Sequence, residues 1–94
     1  MKVKNVGVIG AGQMGAGIAQ VCAAIGKKII LCDIKPEFVD NGLKTINRNL
    51  KRSVTKERIV QEDMDETLAN IQTTLELGYL SECDIVIEAI VENV

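Results

Sequence analysis

The 94-residue sequence has no histidine and no tryptophan, and its aromatic residues are one phenylalanine and one tyrosine. The absence of histidine excludes a Ser-His-Asp or Cys-His nucleophile system, an imidazole metal site and a histidine general base from these residues. With so few aromatic residues, the core must be aliphatic, and bases have nothing to stack on. The length allows one domain, and the apolar fraction of 47% favours a globular one.

The sequence also lacks a strong excess of charge of either sign and any long apolar run. Its 11 basic and 13 acidic residues give a net charge of −2, which provides no general attraction to nucleic acid. The apolar runs are far shorter than the ~20 residues of a membrane span, and the N-terminus lacks a signal-peptide pattern. Cys22, Cys32 and Cys83 have no C-x-x-C spacing, which is typical of free thiols in a reducing compartment. We predict a cytoplasmic protein without a metal site and without nucleic-acid or membrane partners.

The first 33 residues follow the order strand, glycine-rich turn, helix, strand. Residues 3–9 and 28–32 are short, β-branched apolar runs, which predict strands buried on both faces. Residues 13–25 predict a helix that Gly26 ends. Its apolar positions are Met14, Ile18, Val21, Cys22 and Ile25. Such a βαβ unit has parallel strands and a right-handed crossover.

The remaining residues predict further helices and two more strands. Pro36 begins a helix, whose apolar stripe is Val39, Leu43, Ile46 and Leu50. After it we predict a short helix (55–61), a helix begun by the capping box Asp63-x-x-Glu66 and ending near residue 69, a strand (71–75), a turn or single helical turn (78–83) and a strand (84–90). The predicted fold is α/β: a partial, doubly wound parallel sheet of the Rossmann type, with about four strands in the order 3-2-1-4 and a helical excursion between strands two and three.

Residues 10–15, with the sequence GAGQMG, form the pattern G-x-G-x-x-G between a predicted strand and a predicted helix. This context is that of a dinucleotide-binding fingerprint. Gly10 permits the tight turn, Gly12 has no Cβ to obstruct a pyrophosphate, and Gly15 lets the helix pack close to the strand. The free N–H groups around Gln13 and Met14 are predicted to hold the phosphates, aided by the helix dipole.

Asp33 ends the second predicted strand, about 20 residues after the glycines, where a dinucleotide-binding domain carries an acid. Its carboxylate is predicted to accept hydrogen bonds from both hydroxyls of the adenosine ribose. Because its charge would repel a 2′-phosphate, NAD is favoured over NADP, and Lys35 softens this preference without reversing it. The alternatives are a glycine-rich turn with a solvated acid, or another ligand such as FAD or a methyl donor.

Three segments resemble the L-3-hydroxyacyl-CoA dehydrogenases, in particular the bacterial 3-hydroxybutyryl-CoA dehydrogenases. They are VGVIGAGQMGAGIAQ at 6–20, DIKPEFVDNGL at 33–43 and DIVIEAIVEN at 84–93. The resemblance covers essentially the whole chain, and the first and last segments together are more specific than the glycines alone. That family oxidises the 3-hydroxyl group of an acyl-CoA with NAD, or reduces the 3-keto form with NADH, in fatty-acid or butyrate metabolism.

The resemblance implies that residues 1–94 are the N-terminal part of an NAD-binding Rossmann domain in a longer protein. The parent would be a homodimer with a C-terminal helical dimerisation domain and a catalytic histidine–glutamate pair, all outside this chain. We therefore predict no catalytic residue and no turnover for the 94 residues alone. Two alternatives stay open: the cofactor half of another β-hydroxyacid or sugar-acid dehydrogenase, and a non-catalytic dinucleotide-binding sensor.

The resemblance also assigns cofactor positions residue by residue. Glu92 is placed near the nicotinamide ribose, the alternative being a loop carboxylate at a helix N-terminus, and Ala89 and Ile90 line the nicotinamide side. Glu88, inside a strand predicted to be buried, is given a structural role in preference to one in the cofactor cleft. The predicted cofactor site is Gly10, Ala11, Gly12, Gln13, Met14, Gly15, Asp33, Ile34, Ala89, Ile90 and Glu92.

Six basic residues lie between positions 44 and 58: Lys44, Arg48, Lys51, Arg52, Lys56 and Arg58. One interpretation is a solvated helix end that complements the helix dipole. The other is a binding site for the phosphates of coenzyme A, the substrate carrier, since the resemblance places Lys56 and Asn49 at the CoA moiety. Asn49 replaces the hydroxyl residue expected at that position, which puts its assignment in doubt.

Overall fold

The computed structural model of the chain describes residues 2–90. Its elements are β1 (Asn5–Ile9), α1 (Gln13–Ala24), β2 (Lys28–Cys32), α2 (Pro36–Thr55), α3 (Gln61–Ala69), β3 (Ile71–Thr74), a 3₁₀ helix (Leu77–Glu82) and β4 (Ile85–Glu88). The four strands form one parallel sheet in the order β3-β2-β1-β4. The predicted Rossmann-type fold, its strand order and the helical excursion between β2 and β3 are confirmed.

The core lies between the sheet and the helices α1, α2 and α3. Alternate residues of β1 and β2 are buried in it, among them Val8 and Leu31, because successive side chains of a strand point to opposite faces. α2 contributes Val39, Ile46 and Leu50 of its predicted stripe, of which Ile46 is fully buried, whereas Leu43 is only half-buried. α1 contributes small residues, namely Gly15, Ala16, Ala19 and Ala23. The core is therefore aliphatic, as the composition predicts.

Only part of the predicted apolar face of α1 faces the core, where Ile18 and Cys22 pack partly buried. Met14, Val21 and Ile25 are among the exposed large apolar residues of the chain. α1 lies so close to β1 and to the preceding turn that its fully buried positions are glycine and alanine, whereas Met14, Val21 and Ile25 point outward. The spacing of apolar residues predicts the helix, but the short distance between the backbones of α1 and β1 determines which side of α1 is fully buried.

The junction between α2 and α3 differs from the prediction of a short helix over 55–61. α2 runs to Thr55 and ends in a Schellman motif, in which Arg58 N–H donates to the Ser53 carbonyl at 2.9 Å and Glu57 N–H to the Val54 carbonyl at 3.0 Å. Glu57 takes the left-handed conformation (φ 58°) that glycine usually supplies. No glycine signals this helix end in the sequence, which is why the prediction is wrong.

α3 also begins earlier than predicted. Asp63 is not the N-cap residue but the third residue of the helix, and its carboxylate accepts a hydrogen bond from the Val60 N–H at 3.2 Å. The acid thus satisfies the amide of the residue before the helix, which is half of a capping box. Because the Asp63 carboxylate bonds to a residue that precedes it, the helix begins at Gln61 and not after Asp63.

β4 is an edge strand of the described sheet, paired only with β1 among residues 2–90. Glu88, predicted to lie in a buried strand, is exposed among the described residues. At the start of the strand, Asp84 accepts hydrogen bonds from the backbone N–H groups of Asn5 at 2.9 Å and Lys4 at 2.8 Å. These two bonds hold the pKa of the Asp84 carboxyl below its usual range. They join the beginnings of β1 and β4 while the carboxylate is ionised, and this contribution to stability is lost as the pH falls through the lowered pKa.

Within residues 2–90, no helix combines the length and the apolar character that crossing a membrane requires.

Candidate cofactor site

The turn after β1 is shaped by Gly10. Its φ of +104° is one that residues with a side chain rarely adopt, and a Cβ there would lie 2.9 Å from the carbonyl oxygen of Ala89. The Gly10 N–H donates to the Cys32 carbonyl at 2.7 Å, and the Ala89 N–H donates to the Ile9 carbonyl at 2.7 Å. The carboxyl ends of β1, β2 and β4 therefore meet at this one turn, which is where parallel α/β sheets bind their ligands.

Gly15 and Gly12 have different physical roles. A Cβ on Gly15 would collide with the carbonyl oxygen of Gly10, so this glycine allows α1 to pack on the turn. A Cβ on Gly12 would meet no atom within 4 Å, and the residue is exposed. Gly12 therefore leaves free space in front of α1, and a ligand that approaches this backbone would occupy it.

The N-terminus of α1 is open to an anion. Gly12 is its N-cap residue, no side chain caps the helix, and its first turn contains no acidic residue. The first N–H groups of a helix have no partner within the helix and carry the positive end of its dipole. Together with the free space at Gly12, they fit a pyrophosphate group.

Asp33, the first residue after β2, is held by two backbone donors. The Ala11 N–H donates to Oδ2 and the Ile34 N–H donates to Oδ1, each at 2.7 Å. The carboxylate is thus fixed beside the glycine turn and is half-buried. Each carboxylate oxygen retains a lone pair, so Asp33 can accept two further hydrogen bonds from adjacent hydroxyl groups.

A cavity of about 450 Å³ lies in front of these strand ends, within the ~300–1,000 Å³ range of ligand clefts. Its lining is mostly apolar, with the Asp33 carboxylate at one side. Seven predicted cofactor residues line it: Gly10, Ala11, Gly12, Asp33, Ile34, Ala89 and Ile90. The structure thus brings the glycine turn, near residue 10, and the segment after β4, near residue 89, to a single cavity.

Phe38 and Asn41, in the first turns of α2, also line this cavity and were not predicted from the sequence. The Lys35 ammonium lies 5.7 Å from the centre of the Phe38 ring, a cation–π contact at the edge of the cavity. One sequence signal was available, since Phe38 is the only phenylalanine and follows Asp33 closely. Which side of α2 faces the cavity, however, depends on how the helix packs.

The other predicted cofactor residues lie outside the cavity lining. Gln13 and Met14, at the start of α1, line a groove on the outer side of that helix, and the Met14 side chain is 56% exposed. Gly15 is buried behind the turn. Glu92 lies outside the described residues. The side chains of Gln13 and Met14 therefore lie away from the cavity.

Asn49 and Lys56 are far along α2 from Asp33. α2 has 20 residues, which corresponds to about 30 Å, and Lys56 is its C-cap residue, exposed to solvent. The Asn49 side-chain amide donates to the Gln20 side chain of α1 at 3.3 Å and is half-buried. The structure does not bring these two residues to the cavity beside Asp33, so a ligand contacting both places would have to extend along α2.

The chemistry that this site can perform is binding and orientation. Cys32 lies next to Asp33, but burial, with the adjacent carboxylate, raises the pKa of its thiol and keeps it neutral. The sequence contains no histidine to act as a base at the cavity. The site is therefore suited to hold an anionic ligand between a helix N-terminus and a fixed carboxylate.

Comparison with known proteins gives a consistent result. Residues 5–94 match the family model of the 3-hydroxyacyl-CoA dehydrogenase NAD-binding domain. The chain is 44% identical over 91 residues to a 3-hydroxybutyryl-CoA dehydrogenase of Bradyrhizobium diazoefficiens, covering 97% of this chain and 31% of that protein. It is 43% identical over 91 residues to a fatty acid oxidation complex subunit alpha of Psychrobacter sp., covering 97% of this chain and 13% of that protein.

Among solved structures, the fold is similar to that of the (S)-3-hydroxybutyryl-CoA dehydrogenase from Ralstonia eutropha. The TM-score is 0.94 at 39% identity, and the match covers 99% of this chain and 33% of that one. The chain thus spans about a third of the length of the 3-hydroxybutyryl-CoA dehydrogenases that it matches.

Proposed function

The chain belongs to the family of 3-hydroxyacyl-CoA dehydrogenase NAD-binding domains, and from this premise we propose how its residues hold NAD and what the whole protein does. NAD is the cofactor of this domain. The observation that carries the proposal is the Asp33 carboxylate, fixed by two backbone donors at the edge of a cavity that the glycine turn closes.

In this proposal, the adenosine half of NAD occupies the cavity. Asp33 accepts hydrogen bonds from both ribose hydroxyls, and Ile34 and Phe38 contact the adenine. The pyrophosphate lies over Gly12, where it accepts hydrogen bonds from the N–H groups of Gln13 and Met14. Ala89, Ile90 and Glu92 then lie on the nicotinamide side. When bound, NAD supplies the hydride acceptor, and the residues of this chain place it.

We propose that the whole protein oxidises the 3-hydroxyl group of a 3-hydroxyacyl-CoA, 3-hydroxybutyryl-CoA in particular, or catalyses the reverse reduction. The relatives that support this proposal carry dehydrogenase names and are about three times as long as this chain. We place the catalytic base, the dimer contact and the rest of the cofactor domain in polypeptide outside residues 1–94. The absence of histidine from this chain fits that division. We also propose that the whole protein is a cytoplasmic homodimer.

The 94-residue chain, mixed with NAD and 3-hydroxybutyryl-CoA, is expected to bind NAD without forming NADH. The reason is that its residues hold the cofactor but provide no general base for the hydroxyl proton. NADH absorbance measures turnover, and calorimetry on the same sample confirms that NAD is bound. A longer protein containing this chain, followed by a histidine-bearing helical domain, serves as the positive control. NADH production by the chain alone would contradict the proposed division of labour.

We further propose that Lys56 binds a phosphate of the CoA moiety, with Asn49 nearby. Six basic residues between positions 44 and 58 support this, as does the exposed position of Lys56 at the end of α2. Lys56→Ala is expected to weaken acetoacetyl-CoA binding up to about fivefold, the range of an exposed ion pair. Lys2→Ala, at an exposed position outside the basic segment 44–58, is the matched control in the same titration. Equal losses for the two variants would indicate general charge attraction and contradict a specific contact at Lys56.

A further inference from the structure

Gly42 lies inside α2 and is buried against the glycine turn. A Cβ on this residue would lie 2.8 Å from the Ala11 carbonyl oxygen, 3.1 Å from the Ala11 Cβ and 3.4 Å from a methyl carbon of Leu31. Its neighbour Asn41 lines the nucleotide cavity. The backbone of α2 therefore approaches the turn directly at Gly42, with no side chain between them.

Glycine in this position has a cost, because it weakens a helix interior relative to alanine. Gly42 is not at an end of α2, which runs from Pro36 to Thr55, and it does not take a positive φ. Its lack of a side chain is therefore needed for close approach to Ala11 and not for backbone conformation.

Ala11 links this contact to the ligand site. Its carbonyl oxygen faces Gly42, and its N–H donates to Asp33 Oδ2 at 2.7 Å. A movement of Ala11 by a few tenths of an ångström would lengthen or misalign that hydrogen bond, which weakens steeply with poor geometry. The position of α2 therefore affects the orientation of the Asp33 carboxylate through Ala11.

We propose that Gly42 is a positioning residue for NAD: it lets α2 hold Ala11 so that the Ala11 N–H orients Asp33 toward the ribose hydroxyls. The inference rests on the NAD site described above and adds to it a residue outside the glycine fingerprint. A purely structural role would affect the free energy of unfolding but not the recognition of the ribose, and the two roles are therefore separable.

The test compares Gly42→Ala with the wild-type chain in calorimetric titrations with NAD and with NAD lacking the adenosine 2′-hydroxyl. For the wild type, removal of this hydroxyl is expected to weaken binding about tenfold or more, as for a hydrogen bond to a charged group. For Gly42→Ala, we expect NAD affinity to fall about tenfold and the ratio between the two ligands to approach one. Gly17→Ala, whose new Cβ would meet no atom within 4 Å, is the matched control and should retain the wild-type ratio.

An unchanged ratio in Gly42→Ala, whether or not both affinities fall, would overturn the inference. If Gly42→Ala lacks the native circular dichroism spectrum, it is repeated in an Ala11→Gly background, which removes the methyl group that lies 3.1 Å from the new Cβ. We then expect the ratio of the two ligand affinities to be lower in the double variant than in Ala11→Gly alone. Equal ratios in these two variants would overturn the inference. Absence of NAD binding to the wild type would refute both the NAD site and the inference, whereas NAD binding with an unchanged ratio refutes only the inference.

Discussion

Asp33→Ala is expected to weaken NAD binding about 100-fold and to abolish the preference for NAD over NADP. The carboxylate is fixed by the Ala11 and Ile34 N–H groups at 2.7 Å each. Each hydrogen bond from a ribose hydroxyl to such a charged group contributes about 1.5–3 kcal/mol. Loss of the charge also removes the repulsion of a 2′-phosphate, so NADP affinity should stay the same or rise. Calorimetric titration of the wild type and of Asp33→Ala with NAD and with NADP measures the effect.

Two controls accompany this substitution. Asp40→Ala removes an equal charge from an exposed position on α2 outside the cavity lining, and it should leave the ratio of NAD to NADP affinity unchanged. Because the Ala11 and Ile34 N–H groups lose their acceptor in Asp33→Ala, circular dichroism is used to check that the variant keeps its secondary structure. Unchanged discrimination between NAD and NADP in a folded Asp33→Ala chain would remove the role assigned to Asp33.

The three glycines at the start of α1 are expected to respond to alanine in three different ways. Gly15→Ala should lower the free energy of unfolding by at least about 3 kcal/mol, because its Cβ collides with the Gly10 carbonyl oxygen and the backbone must move. Gly12→Ala should lower the free energy of unfolding by less than about 1 kcal/mol, because alanine is the poorer N-cap residue, while no atom lies within 4 Å of its Cβ and the φ of −70° suits any residue. Gly17→Ala should stabilise the chain by about 0.5–1 kcal/mol through helix propensity.

NAD binding should separate the same variants differently. Gly12→Ala places a methyl group where the pyrophosphate approaches the backbone, and it should lose at least about tenfold in NAD affinity while remaining folded. Gly17→Ala should bind NAD like the wild type. Urea denaturation and calorimetry on the same preparations give both quantities. Tight NAD binding by Gly12→Ala would contradict the proposed path of the pyrophosphate.

Much of the fold follows from local sequence signals. The glycine turn, the buried strands and the acid after β2 together predict the βαβ unit, because each has a period or a turn residue of its own. The end of α2 and the start of α3 do not follow from such signals. α2 ends with Glu57 in the left-handed conformation, and the start of α3 is set by the hydrogen bond from the Val60 N–H to the Asp63 carboxylate. Both are decided by hydrogen bonds that a residue pattern does not reveal.

The site was predictable where residues adjoin the motif and not where a packed helix brings them in. Gly10, Ala11, Gly12 and Asp33 lie at strand ends that the topology must bring together. Phe38, Asn41 and Gly42 reach the turn only because α2 packs at one rotation and one distance. The exposed apolar side of α1 has the same cause, since backbone proximity and not hydrophobicity sets its buried side.

The most direct test of the NAD site is a ¹⁵N NMR titration of the chain with NAD, following each backbone amide. We expect the largest shifts at residues 10–15 and 33–34, around the glycine turn and Asp33. The amides of α3, which contributes nothing to the lining of the nucleotide cavity, should shift little. No response at saturating NAD, or the largest shifts at the cavity between α1, α2 and α3 that contains Asp63 and Thr67, would contradict NAD binding at the glycine turn.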